Sequence, residues 1–188
     1  MAAAELGSVL LRLARNSIAE RFGMAAAAAP EHALLDTPGA TFVTLTQQGQ
    51  LRGCIGSLEA HRPLYADVRE NALAAAFRDP RFSPLAAVEF VTTSVEVSLL
   101  TPATEMSFAG EEDLLMQLRP GVDGIVLGYG RHRSTFLPQV WDSLPDPRLF
   151  MAQLKRKAGL PADFWAEGVS VSRYEVSKWK EAEFLEAE

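Results

Sequence analysis

The sequence predicts a mixed α+β fold built mainly from antiparallel strands, and three observations predict it. Residues 41–46 and 51–58 are two β-prone runs divided by a turn at Gly49, the signature of a hairpin. Residues 88–100 alternate valine and leucine with threonine, serine and glutamate, as a strand buried on one face does. Around these lie stretches whose apolar residues recur near a 3.6-residue period, and those belong to helices.

Glu5–Phe22 is the first helix. Leu6, Val9, Leu10, Leu13 and Ile18 form its stripe, with Arg12, Arg15 and Glu20 between them. Gly23 is a stop, although Ala25–Ala29 carries enough helix propensity to prolong the helix to Pro30. Residues 30–40, with Pro30, Asp36, Pro38 and Gly39, read as a connection. After the hairpin, Pro63 opens a helix to Phe77, with Leu64, Val68, Ala72 and Ala75 on one stripe. Asp79-Pro80-Arg81-Phe82-Ser83-Pro84 closes it as a shaped loop.

The second half is expected to hold a short helix at 111–118, a turn at 120–124, a strand at 125–127, a turn at 128–133 and a strand at 134–137. Asp146-Pro147 is a cap and first-turn pair for a helix through Ala158, with Leu149, Phe150 and Leu154 facing the core. Val169, Val171 and Arg173 alternate with Ser170, Ser172 and Tyr174 in a last strand before a charged tail. The loops at 30–40 and 138–145 leave room for a second, smaller lobe.

A chain of 188 residues buries a full core as one domain. Its net charge of −6, from 24 acidic and 18 basic residues, argues against a nucleic-acid footprint, which needs clustered Lys and Arg. Lys155-Arg156-Lys157 is the longest basic cluster and too small to reverse that. No apolar run approaches the ~20 residues needed to cross a bilayer. The amino end lacks the basic start of a signal peptide, and a lone cysteine permits no internal disulfide. The cytoplasm is the expected location.

That cysteine stands in Leu51-Arg52-Gly53-Cys54-Ile55-Gly56. On an unbroken strand Arg52, Cys54 and Gly56 share one face, while Leu51, Gly53 and Ile55 share the other. Arg52 would then lie roughly 6–7 Å from Cys54 along the backbone and favour its thiolate. Gly56 would leave room for a ligand or another backbone. The alternative is a cysteine packed as a small hydrophobe, with its glycines serving a bulge or bend.

A nucleophilic cysteine needs a base. His61, seven residues on, could fold back, while His32 and His132 read as solvated or capping residues. Neither a His-Glu-x-x-His nor a Cys-x-x-Cys pattern occurs, and one cysteine cannot itself hold an iron–sulfur cluster. No metal or cofactor is evident. Gly121-Val122-Asp123-Gly124 lacks the Gly-x-Gly-x-x-Gly order and reads as a turn, from which Asp123 could project a carboxylate into a cleft. Asp79 and Arg81 flank Pro80 in a rigid turn suited to an ion pair or a polar ligand. Gln139, among apolar neighbours in Phe136-Leu137-Pro138-Gln139-Val140, needs buried hydrogen bonds or a cleft to face. Trp141, Trp165 and Trp179 read as packing anchors.

Taken in order, these segments resemble the AMME-syndrome candidate-gene protein family, whose prokaryotic members are called protein A of the AmmeMemoRadiSam system. The resemblance runs over residues 8–182. It is carried by the hexapeptide at 51–56, by Asn71-Ala72 with the loop at 79–84, by the segments 121–124 and 136–140, and by Lys157-Ala158-Gly159-Leu160 with Trp165. It implies one family domain over 1–188 made of two closely packed subdomains. The larger, sheet-bearing lobe would hold both termini, and the hexapeptide would lie near the cleft with the smaller lobe. It also implies a Memo-like protein and a radical S-adenosylmethionine protein as partners, the iron–sulfur chemistry belonging to the latter.

Three functional readings result. In the first, the protein is a binding or accessory component for those partners, with Arg52, Arg81, Asp123 and Gln139 recognising a small polar ligand beside Cys54, Gly53 and Gly56. In the second, it is an enzyme with Cys54 as nucleophile, Arg52 as anion clamp and His61 or Asp123 as proton partner. In the third, it is a structural or regulatory protein without catalysis.

Overall fold

A computed structural model describes residues 2–26, 28 and 31–185. The chain divides into two compact units, residues 1–100 with 177–188 and residues 101–176. Each has its own sheet and its own apolar core. The expected α+β class, with antiparallel sheets and a larger unit that takes up both ends of the chain, is the one observed.

In the first unit α1 (Ala2–Arg21) stops where Gly23 adopts a φ of +67° and Met24 N donates to Ala19 O at 3.0 Å. Residues 24–26 therefore do not prolong the helix, and residues 27, 29 and 30 lie outside the described residues. β1 (Pro38–Gln47) and β2 (Gln50–Gly56) are joined by Gln48 and Gly49, at φ 50° and 78°, a turn whose twist suits a hairpin. β3 (Arg62–Pro63) pairs with the start of β1, and α2 (Leu64–Phe77) packs across β1 and β2. α3 (Ala87–Phe90) is a single turn, and β4 (Ser94–Leu100) flanks β1 on the side away from β2. Val43, Leu45, Val95 and Val97 of one sheet face pack with Leu10, Ala14 and Ile18 of α1 and Val68 and Ala72 of α2. Each large side chain of this set contributes roughly 1.5–3 kcal/mol by leaving water.

The second unit contains β5 (Thr104–Glu105), α4 (Glu111–Gln117), β6 (Gly124–Tyr129), β7 (His132–Phe136), α5 (Pro147–Lys157) and β8 (Ser170–Tyr174). Its sheet runs β5-β8-β6-β7. Asp146 caps α5 by accepting from Arg148 N and Leu149 N, and Trp141 stacks on Phe150 with centroids 3.7 Å apart. The chain then returns to the first sheet as β9 (Val176–Lys180) beside β4, followed by α6 (Glu181–Leu185). Arg15 pairs with Glu181, whose carboxylate also takes Val95 N at 2.8 Å.

Four expectations are corrected. Residues 88–93 are not strand, because Glu89 turns its carboxylate onto Ala86 N and Arg52, closing a helical turn that leaves Val88 and Val91 exposed. Leu149 points to solvent, and Met151 takes its expected place in the core with Phe150 and Leu154. β7 begins at His132, so its turn is short. The charged tail is a strand, whose Trp179 packs where Gly7 carries no side chain.

Candidate functional site

β2 is the terminal strand of its sheet, and it is bulged. Thr44 stands opposite Cys54, Leu45 opposite Gly53 and Thr46 opposite Leu51, so Arg52 has no partner across the ladder. Thr44 and Thr46 share a face of β1, hence Leu51 and Cys54 share that face too. Strict alternation ends at the bulge, and Arg52 does not join Cys54 as the unbroken strand predicts. Its guanidinium instead donates to Glu89, Nε to Oε1 at 3.0 Å and Nη2 to Oε2 at 3.1 Å, and Nη1 donates to Ser83 O at 3.0 Å. Arg52, aided by Ala86 N–H, holds the Glu89 carboxyl below its ordinary range.

The glycines are there for close approach. A Cβ at Gly53 would stand 2.2 Å from Ala75 O of α2, so this glycine lets the helix lie directly on the strand. A Cβ at Gly56 would stand 2.2 Å from the Phe42 ring. The space expected for a ligand at Gly56 is filled by that ring.

Cys54 is half-buried, and its main chain is held by side chains. Its N–H donates to Asp79 Oδ2 at 2.9 Å, and its carbonyl accepts from Arg81 Nη2 at 3.1 Å. The two side chains are themselves paired, Nη2 to Oδ2 at 2.7 Å and Nε to Oδ1 at 3.0 Å. Asp79 and Arg81 thus do for one residue of an edge strand what a neighbouring strand would do. The Arg81 guanidinium holds the buried Asp79 carboxyl well below the usual range, with Cys54 N–H and Arg81 N–H adding to it against the cost of burial. Asp79 in turn raises the Arg81 pKa.

The other end of the hexapeptide meets a network the sequence reading missed. Buried Asp67 of α2 accepts from Thr41 N and Thr41 Oγ1, both at 2.7 Å, from Ser57 Oγ at 2.6 Å and from Arg62 Nε at 2.9 Å. Asn71, one turn on, donates to Thr41 O at 3.0 Å and Ser57 Oγ at 3.1 Å. Ser57 follows Gly56 directly, so this network fixes where the edge strand ends. The usable signal was the i,i+4 pair of polar residues, Asp67 and Asn71, on the otherwise apolar buried stripe of α2.

On the sheet face away from the core, the register sets Cys54, Thr44 and Glu96 in one row. Thr44 Oγ1 donates to Cys54 Sγ at 3.3 Å. Lys178 Nζ and Lys180 Nζ lie 3.3 and 3.9 Å from the two Glu96 carboxylate oxygens. A thiol, a hydroxyl, a carboxylate and two ammonium groups therefore cross four strands together, β2-β1-β4-β9. The alternation of β4 already put Glu96 on its polar face. The lysines were hidden in what read as a tail.

The remaining candidates fall elsewhere. Arg62 stands opposite Gly39, five β1 residues from Thr44, so the neighbouring His61 lies well over ~10 Å from the thiol. His61 is exposed beside Glu59 at 3.2 Å. His32 caps the short 3-10 turn Ala33–Asp36, its Nδ1 accepting from Leu34 N. In the second unit Asp123 is buried and accepts from Arg119 N and Arg119 Nε, both at 2.9 Å, while Trp141 Nε1 donates to its carbonyl at 2.8 Å. Gln139 is exposed on the short helix Pro138–Asp142. Among the described residues no group of three His, Cys, Asp or Glu side chains could hold a metal ion, and no helix is long and apolar enough to cross a membrane.

Fold and site together define an α+β protein whose bulged edge strand presents one thiol beside a polar sheet face. The chain belongs to the AMMECR1 family, whose model matches residues 11–179. A protein of Methanocaldococcus jannaschii is 40% identical over 140 residues, 71% of this chain and 68% of that one. One from Saccharolobus solfataricus is 36% identical, with 94% and 82% covered. The crystal structure of an uncharacterised protein from Pyrococcus horikoshii matches with a TM-score of 0.75 at 32% identity, over 93% of this chain and 91% of that one.

Proposed function

We propose that this protein is a binding component of the AmmeMemoRadiSam system that works with a Memo-like protein and a radical S-adenosylmethionine protein, and that its recognition surface is the Cys54 row. The observation that carries this reading is how the charges around the hexapeptide are used. Arg52 is spent on Glu89, and Asp79 and Arg81 on the Cys54 main chain. Neither histidine of the first unit reaches the thiol, so the base a nucleophilic cysteine requires is not supplied from there. Beside the thiol, Thr44, Glu96, Lys178 and Lys180 offer both donors and acceptors to a polar partner. The family supplies the system, and this surface supplies the contact.

The test is co-purification of the tagged chain with the two partner proteins. Glu96→Gln and the double variant Lys178→Ala/Lys180→Ala are expected to fold and to retain less than a tenth of the partner retained by the wild type. Undiminished capture by both variants would remove the row from the interface.

A further inference from the structure

The helix-covered side of the first unit, across the sheet from Cys54, carries a recess of about 520 Å³ lined by Arg21, Phe22, Leu73, Phe77, Arg78 and Pro84. That volume is within the roughly 300–1,000 Å³ of small-molecule sites. Three separated pieces of chain wall it. They are the end of α1, one face of α2 on which Leu73 and Phe77 are i,i+4 neighbours, and the 79–84 loop. Leu85 N donates to Ala76 O at 2.8 Å, which ties the loop to the helix next to Pro84.

The floor and the rim differ in kind. Phe22 meets Phe77 edge-on, centroids 5.4 Å apart at 70°, and lies 5.8 Å from the buried Phe90 ring, so the floor is an interlocked aromatic set. The rim is cationic. Arg78 shares its charge with Glu70 at 3.2 Å, and Arg21 is exposed with no ion pair among the described residues. In a chain of net charge −6 this is a local reversal of sign beside an apolar hollow. A guanidinium also binds a planar carboxylate well and lies readily on a ring face.

We propose that this recess is a second binding site, for a small anion with an aromatic or branched aliphatic body. The body rests on Phe22, Phe77 and Leu73, and the acidic group meets Arg21 and Arg78. A neutral apolar ligand would leave Arg21 unanswered, and a cation would be repelled by it.

The experiment is a fluorescence titration of the full chain with 1-anilinonaphthalene-8-sulfonate, set against the neutral dye N-phenyl-1-naphthylamine. Expected is saturable binding of one sulfonate per chain, at least tenfold tighter than the neutral dye. Arg21→Glu should weaken it at least fivefold and Leu73→Trp, which fills the hollow, should abolish it. Cys54→Ser should leave it unchanged, separating this site from the sheet face. Circular dichroism checks the fold, and Arg21→Glu, at an exposed position, decides the matter if Leu73→Trp lowers stability. No saturable binding, equal affinity for both dyes, sulfonate affinity unmoved by Arg21→Glu, or capture of an acidic aromatic peptide in place of the free anion would overturn the proposal.

Discussion

Asp79 in the first unit and Asp123 in the second each lie buried, each are gripped by an arginine a few residues away in sequence, and each accept main-chain N–H groups. Their surroundings differ. Asp123 closes its own turn, and the Trp141 indole bonded to its carbonyl stacks on Phe150 in an apolar core. Asp79 reaches a different segment, the Cys54 main chain, and so fixes an edge strand whose other face carries the polar row. In sequence Asp79 reads as part of a turn suited to an ion pair or a polar ligand, and Asp123 as a carboxylate that could enter a cleft. Both anchor backbone, and what separates them is what the anchored backbone presents.

The largest expected effect sharpens the first region. Gly53→Ala sets a methyl group against Ala75 O and must part β2 from α2, at a cost of roughly 3 kcal/mol or more. Gly121→Ala meets no neighbour and carries only the penalty of a positive φ, about 1 kcal/mol. Urea unfolding of the two variants should reproduce that order.

Next come the carboxylates. Asp79→Ala and Asp123→Ala are each expected to cost roughly 2–4 kcal/mol, since each leaves buried main-chain donors without acceptors. Only Asp79→Ala should alter the rate at which iodoacetamide labels Cys54, because only it loosens the strand that bears the thiol. Equal labelling by wild type and both variants would break the distinction.

Acid gives a smaller, signed effect. The Asp79 and Glu89 carboxyls both titrate below their ordinary range in the folded chain. Their pairing therefore stabilises the fold fully above the unfolded carboxyl values, near pH 4, and that contribution is lost as pH falls further. Asp79→Asn should be less stable at neutral pH and show a shallower loss of stability between about pH 4 and pH 2. An unchanged slope in that range would mean that Asp79 is not the group responsible.

Much of the fold was legible because it rests on local chemistry. Gly49, Asp146-Pro147 and the helical stripes specify turns, caps and buried faces through neighbours within a few residues. What was not legible depended on contacts distant in sequence. Whether 88–93 extends or turns is decided by Arg52 reaching Glu89, 37 residues away. Whether 176–180 is tail or strand is decided by β4. At the site, the hexapeptide drew attention to Cys54, yet one extra residue at Arg52 reversed the facing that parity assigns. Glu96 joined Cys54 only through the pairing of both strands to β1.

The smallest expected effect is also the most direct test of the proposed role. Cys54→Ser should cost less than about 1.5 kcal/mol, because the site is half-buried and the hydroxyl can still accept from Thr44. Intact-mass analysis of the wild type after incubation with its partner proteins, alongside the association of the serine variant, then reads the chemistry itself. The expected result is an unmodified thiol and partner binding within threefold of the wild type. A covalent adduct at Cys54 together with loss of partner binding by the folded serine variant would contradict a recognition role and assign the residue to catalysis.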